Sequence, residues 1–530
     1  MSVLLLISVL SPAMTGLLLL AGGRTGRRWG VAVTAFAAVS AVVVAWSVAV
    51  RGPVDAVVTI GSGGSVMAGF YADRVSVVLL LLVLGVSAVV QGFATRYLRG
   101  DARADRFVAA TGLLTTATAA MVTAATLIGM AVAWSAIGLG LWWLLRVYRA
   151  DAWVPVAVTR TARMVLVGDI ALWTGVIVAT VQWGNVDLRA LELPTTTSAP
   201  TGPLVAGALV VAAVARSALV PMAGWLPATV AAPTPLSALL HAGIVNGGGV
   251  LMLRLHPMID SYAAVMGLAF VAGALTAVYG TALMLTRPDV KSALAYSTVG
   301  QMGFMVMTCA LGAYSAALFH LVAHGMYKAA LFLGSGSAVG DHLAERTAPP
   351  RPLGSAGARR AFGALALVVP AVALAGAVWL WGSVFGLAHS GTVLLLAFAW
   401  VTGTHLVWGW SRRVSRPGPA CVFIAVLVAV MVAYLGALSV FSAFTGPALR
   451  AEGPAVLGAW TLIPVFAVIA VLTLARVTTV PALASLHKTL YVACLSLGDL
   501  GPRARRTSFP GGARRTAPAR SFVPAVVGES

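Results

Sequence analysis

YSAALFHLVAHGMYKAALFLGSG, residues 314–336, is long and apolar enough to cross a bilayer, yet it carries two histidines and a lysine. A hydrocarbon core needs about 20 predominantly apolar residues per helix. Working outward, runs of similar length fall at 3–22, 29–50, 75–95, 106–124, 126–146, 163–183, 203–222, 235–255, 262–286, 292–311, 361–386, 392–411, 419–441 and 456–476. Composition agrees. Of 530 residues, 60% are hydrophobic and 9% charged, against about 25% charged in soluble domains; mean hydropathy is +0.95. So few charges cannot cover a water-facing surface of this size. The sequence predicts an all-α polytopic membrane protein with about 15 transmembrane helices.

The net charge of +20 does not point to nucleic acid, because the basic residues sit in short clusters between apolar runs. Numbering the spans from the N-terminus, the loops after odd spans and the C-terminal tail hold 28 Lys and Arg, and the opposite side holds four (Arg51, Arg74, Arg189 and Arg450). Basic loops stay cytoplasmic, which predicts an outside N-terminus and a cytoplasmic C-terminus in the cell inner (plasma) membrane. No basic segment precedes the first run, and Arg24, Arg27 and Arg28 follow it. It reads as a retained span and not a cleaved signal. Cys309, Cys421 and Cys494 are scattered, without disulfide or metal spacing. The Pro-containing stretch 337–360 reads as a cytoplasmic linker. The Arg-, Pro- and Gly-rich residues 501–530 read as a disordered basic cytoplasmic tail, solvated or lying against anionic lipid headgroups.

Ionisable groups at membrane depth are costly and mark function. His320, His324 and Lys328 recur at i, i+4 and i+8, so they share one slowly rotating helix face, with neighbours about 6 Å apart along the axis. One water bridges that distance. Imidazole titrates near neutrality, and a desolvated lysine can lose its proton, so such a column can relay protons. The alternatives are interhelical packing hydrogen bonds, or a metal held by the two histidines, for which no third ligand accompanies them.

The second cluster is VARSALVPMAGWLPATVAAPTPLSALLHAGIVNGGG, residues 214–249. Pro221, Pro227, Pro233 and Pro235 stop one helix and start the next. Non-helical backbone at this depth is tolerated where it is buried in protein or lines an aqueous cavity. His241 lies six residues past Pro235, with Asn246 beyond it, placed to hydrogen-bond water. Arg216 keeps its proton and can supply only a fixed field or hold an anion; Asp169, on the preceding span, is its expected counter-charge. Arg254, near its helix end, is expected to snorkel.

These stretches, PMAGWLPATVAAPTPLSALLHAGIVNGGG and DVKSALAYSTVGQMGFM followed by LFHLVAHGMYKAALFLGSGS, resemble the proton-conducting antiporter-like subunits of respiratory complex I and of multisubunit cation/proton antiporters. The similarity covers roughly 70–337 and is most specific across 216–337. It implies two inverted five-helix repeats, each with a broken helix, along a polar axis at the membrane midplane. On that basis residues 1–105 hold three N-terminal helices, 106–255 the first repeat, 256–411 the second, and 412–500 two further helices. HAGIVNGGG after the PTP turn is closest to one branch, the DabB- or MpsA-like membrane subunit of a two-component inorganic-carbon accumulation system.

That branch implies cation conduction, of protons or sodium, coupled to a large cytosolic zinc partner (DabA-like) resembling a carbonic anhydrase. Zinc is expected in the partner and no cofactor in this chain. The implied ion pathway comprises His241, His320, His324, Lys328, Arg216, Asp169 and Asn246, with Pro221, Pro227, Pro233 and Pro235 at the broken helix. The pattern departs from complex I at three places. Ser135 stands where a glutamate follows the tryptophan, Arg216 replaces a lysine, and 361–386 lacks the lysine of the second broken helix, although Pro370 could mark a break there. The competing readings are a proton-translocating subunit of an NADH–quinone oxidoreductase or cation/proton antiporter, and a membrane anchor without conduction. No NADH, flavin or quinone motif and no iron–sulfur cysteine spacing is present, so the sequence predicts a transporter subunit and not an enzyme.

Overall fold

The computed structural model describes residues 1–20, 26–60, 65–191, 201–336, 340, 356–381, 390–411, 417–449, 457–465, 467–468 and 481–497. They form helices α1 (Ser2–Leu20), α2 (Gly26–Arg51), α3 (Arg74–Tyr97), α4 (Ala104–Val122), α5 (Leu127–Arg146), α6 (Val154–Trp183), α7 (Gly202–Arg216), α8 (Thr234–Ala242), α9 (Gly247–Leu255), α10 (Ala263–Met284), α11 (Val290–Ala310) and α12 (Tyr314–Gly334). Then come α13 (Ala356–Trp381), α14 (Ser390–Ser411), α15 (Pro417–Leu449) and α16 (Pro481–Leu497). Among the described residues, eight helical stretches are long and apolar enough to cross a membrane, and several shorter apolar helices accompany them. Helices lie at fourteen of the expected spans. Of the fifteenth, 456–476, residues 457–465 and 467–468 are described, with a 3₁₀ turn at Ala459–Thr461 followed by helical residues; its remainder, the tail 501–530 and most of the linker 337–360 lie outside the described residues.

Local chemistry sets several helix starts. Asp73, Thr126 and Asp289 cap α3, α5 and α11 by accepting the backbone N–H of Ser76 (2.7 Å), Gly129 (3.1 Å) and Ser292 (2.7 Å). Proline occupies the first turn of α6, α7 and α8, where its missing N–H leaves nothing unsatisfied. Between α4 and α6, Arg103 bridges Asp101 (3.1 Å) and Asp151 (3.2 Å) and lies 4.6 Å from the Tyr148 ring centre. Its hydrogen bond to Asp101 raises its pKa, and burial raises that of Tyr148.

Three features depart from expectation. The fold is not purely helical: β1 (Val54–Ile60) and β2 (Ser65–Ala72) pair as an antiparallel hairpin with an irregularity between Val58 and Thr59. β1 is rich in β-branched residues and β2 carries Val66, Phe70 and Tyr71, on either side of the glycine-rich 61–64, a hairpin signal that a search for 20-residue apolar runs passes over. The hairpin is stitched to the connection between α4 and α5 by Tyr71 N–H to the Thr123 carbonyl (2.6 Å) and Ala125 N–H to the Gly69 carbonyl (3.0 Å). Gly69 has φ +152°, and a Cβ there would meet the Ala56 carbonyl. Secondly, α13 runs as helix through Pro370, so the break expected at that proline is absent among the described residues. Thirdly, α16 is a helix in a region where no span was expected, and Arg287 donates to its Cys494 carbonyl (2.9 Å).

The central packing is tight because small residues let backbones approach. Gly273, Gly280, Gly300 and Gly303 lie in the α10–α11 interface, where an added Cβ at Gly280 would collide with the Gly300 backbone.

Candidate functional site

The prolines break the chain as expected. Helix α7 ends at Arg216; Pro221 sits in a turn, Pro227 opens a 3₁₀ turn, Pro233 precedes α8 and Pro235 lies in its first turn. The freed backbone groups find partners across the bundle. Val220 N–H donates to Thr276 Oγ1 of α10 (2.9 Å), the Ala215 carbonyl accepts from Trp225 Nε1 (3.2 Å), and Lys291 Nζ donates to the Ala232 carbonyl (3.0 Å). The run 235–255, expected as one helix, is itself broken. Helix α8 ends at Ala242, one 3₁₀ turn spans Ile244–Asn246, and α9 starts at Gly247. Ser217 Oγ donates to the Val245 carbonyl (2.9 Å), tying the two breaks together. His241 therefore sits in the last turn of α8, against irregular backbone.

Arg216 and Asp169 meet as expected, Nη2 to Oδ1 at 3.3 Å. Trp134 Nε1 donates to the same carboxylate oxygen (2.9 Å), and the guanidinium lies 4.2 Å from the Trp134 ring centre. Arg216 Nη2 also donates to the Trp134 carbonyl (3.1 Å), while buried Nη1 has no protein partner. Ser135, at the departure from complex I, accepts from Trp173 Nε1 (3.0 Å). Arg254 does not snorkel. Its side chain is 5% exposed and donates to Asp73 Oδ2 (2.8 Å) and Ser76 Oγ (3.0 Å), because the α3 cap offers a carboxylate at the same depth.

On α12, His324 and Lys328 are buried and His320 is half-buried. The His320 and His324 ring centres are 6.0 Å apart. His324 Nδ1 bonds Gln301 Oε1 of α11 (2.5 Å), its Nε2 lies 3.2 Å from the His241 carbonyl, and Lys328 Nζ donates to the Leu294 carbonyl (3.2 Å). The His241 ring stacks on Phe332 at 4.4 Å, and neither of its nitrogens has a protein partner. His320 Nε2 and Asn246 Oδ1 are likewise unpartnered. The sequence reading missed Gln301. It carries no formal charge, and only its place one helix before the histidines could have drawn attention to it.

A cavity of about 40 Å³ separates the two groups, lined by Ser87, Thr115, Trp134, Arg216, Asn246 and Leu321 among others. Gly247 leaves room for Arg216 there, since an added Cβ would lie 3.1 Å from its Cγ. The structure thus brings Asp169 to Arg216, Arg216 and Asn246 to one cavity, and His241, His320, His324 and Lys328 to one interface between α8, α11 and α12.

Bundle and buried ionisable groups together describe a multi-pass membrane protein with polar contacts at depth. Comparison with known proteins gives its family. The profile described as "NADH:quinone oxidoreductase/Mrp antiporter, TM" matches residues 124–412, and that of the complex I chain 5 N-terminus matches 58–108. The chain belongs to this family of antiporter-like membrane subunits. It is 32% identical over 457 residues to a probable inorganic carbon transporter subunit, DabB1, of Halothiobacillus neapolitanus, covering 82% of this chain and 81% of that protein. It is also 33% identical to the NADH-quinone oxidoreductase subunit L of Pseudomonas aeruginosa, over 51% of this chain and 45% of that one. The chain thus spans under half of subunit L. The Mrp complex from Dietzia sp. contains a chain of the same fold (TM-score 0.59, 24% identity, 96% of this chain and 60% of that one).

Proposed function

We propose that the chain conducts protons or sodium ions and energises inorganic-carbon accumulation by a cytosolic zinc partner resembling a carbonic anhydrase. One observation carries conduction: His241, His320, His324 and Lys328 converge on one interface, where buried ring nitrogens of His241 and His320 have no protein partner. Buried polar groups are almost always hydrogen-bonded to protein or to ordered water, and water joined to those nitrogens supplies the links of a relay. Arg216 supplies a fixed charge, paired with Asp169 and sharing a cavity with Asn246, and does not itself carry a proton stepwise. Similarity to DabB1 along most of both chains supports the inorganic-carbon reading. The chain sits in the plasma membrane with its N-terminus outside and C-terminus cytoplasmic, and its first and second repeats span 106–255 and 256–411.

The test uses the assembled complex. Co-purification with a zinc-containing cytosolic protein is expected; co-purification with further oxidoreductase or antiporter subunits would replace the inorganic-carbon reading. In vesicles, His324→Ala and Lys328→Ala are expected to abolish cation flux while the complex stays assembled. Unchanged flux and unchanged growth at ambient CO2 would leave the chain an anchor without conduction.

A further inference from the structure

A second, larger cavity lies away from the column, at the end of the bundle that carries the hairpin. It has a volume of about 330 Å³, and its polar lining comes from Tyr71, Asp73, Arg74, Arg189, Arg254 and His256. The segments it joins, near residues 52, 73, 189, 255 and 448, all fall on the side that the basic-loop bias puts outside.

His256 stands between this cavity and α12. Its Nδ1 lies 3.3 Å from Asp260 Oδ2, and the side-chain exposures of the two are 9% and 33%. The other face of the ring stacks on Tyr314, the first residue of α12, with centres 4.4 Å apart. Tyr314 is 5% exposed, and its hydroxyl has no protein partner. His320 lies six residues further along the same helix, about 9 Å along the axis and about a third of a turn around it, so a water chain joining the two must also turn about the helix. An imidazole at a cavity wall, oriented by a carboxylate and backed by an unpartnered buried hydroxyl, is more than a helix end needs for packing.

We propose that this cavity is the outer mouth of the pathway and that His256 is its proton port. The inference rests on the conduction reading. The imidazole takes a proton at one ring nitrogen from water in the cavity and releases one from the other nitrogen toward Tyr314 and the α12 column. Asp260 orients the ring. The other charged or titratable groups around the cavity are Asp73, paired with Arg254, and Arg74, Arg189 and Tyr71.

The test reconstitutes the full chain with its co-purifying partner into vesicles of known orientation and follows proton flux. His256→Ala is expected to cut flux about a hundredfold, the scale of losing a proton-transfer group. His256→Cys is expected to lose its residual flux when a charged, membrane-impermeant thiol reagent is added on the outer side alone. Asp260→Asn, which removes the group that orients the ring, is the milder variant and is expected to lower flux less than His256→Ala does. A merely structural role would not make the residual flux of the cysteine variant sensitive to a reagent confined to the outer side. Wild-type vesicles that pass no cation would overturn the conduction reading and this one with it. Wild-type flux that His256→Ala leaves intact, or residual His256→Cys flux that the outer reagent leaves untouched, overturns the port alone.

Discussion

Arg216 shows how far single residues could be read. Its guanidinium keeps its proton and lies in a run bounded by broken helix, so a counter-charge was required, and the acid on the preceding span was the natural candidate. The structure supplies Asp169 and adds Trp134, which binds the carboxylate through its indole N–H and lies beside the guanidinium. Removing one partner of a buried pair leaves an uncompensated charge. Asp169→Ala should therefore cost about 3 kcal/mol, read as a lower Tm in detergent, and adding Arg216→Met should recover most of it. A double variant no more stable than the single one would mean the loss has another cause. The half-exposed Arg103–Asp151 pair contrasts with this: Asp151→Asn should cost less than about 1 kcal/mol. Gln301 and Trp134 were harder to foresee, because neutral polar residues carry no signal until the fold sets them against a charge.

At the scale of elements, prolines marked the first break but not the second. Pro221 to Pro235 cannot continue a helix, whatever surrounds them. Gly243 lies in an apolar run that reads as helix, and the backbone turns there because Ser217 and the packed α7 accept the distortion. Gly248 shows the same dependence. A Cβ on it would collide with the Ala213 carbonyl and Ser217 Oγ, so α9 can approach α7 only without one. Gly248→Ala should destabilise the protein by about 1–3 kcal/mol, the usual cost of overpacking. Gly267→Ala on α10, which meets nothing within 4 Å, should leave Tm unchanged or slightly raised. Pro370 is the opposite lesson. A proline in a helix weakens one turn without ending it when neighbours hold both sides, and Gly403 of α14 packs directly against its ring.

For the whole molecule, orientation is the testable statement. Val58 in the exposed hairpin and Arg149 beyond α5 lie at opposite ends of the bundle by the basic-loop bias. Val58→Cys should react with an impermeant thiol reagent from outside, and Arg149→Cys only after the cytoplasmic side is opened; the reverse pattern would invert the topology. Hydropathy, basic-loop bias and the i, i+4, i+8 spacing fixed the membrane class, the helix sequence and the histidine–lysine face without reference to any contact, because lipid acts on each segment separately. Which helices cross near which, where α8 and α9 part, and that His256 lines the hairpin-side cavity while stacking on Tyr314 were decided only by tertiary packing. Those features depend on pairs of residues far apart in the chain, and a side chain's partner across the bundle leaves no trace in the local pattern around it.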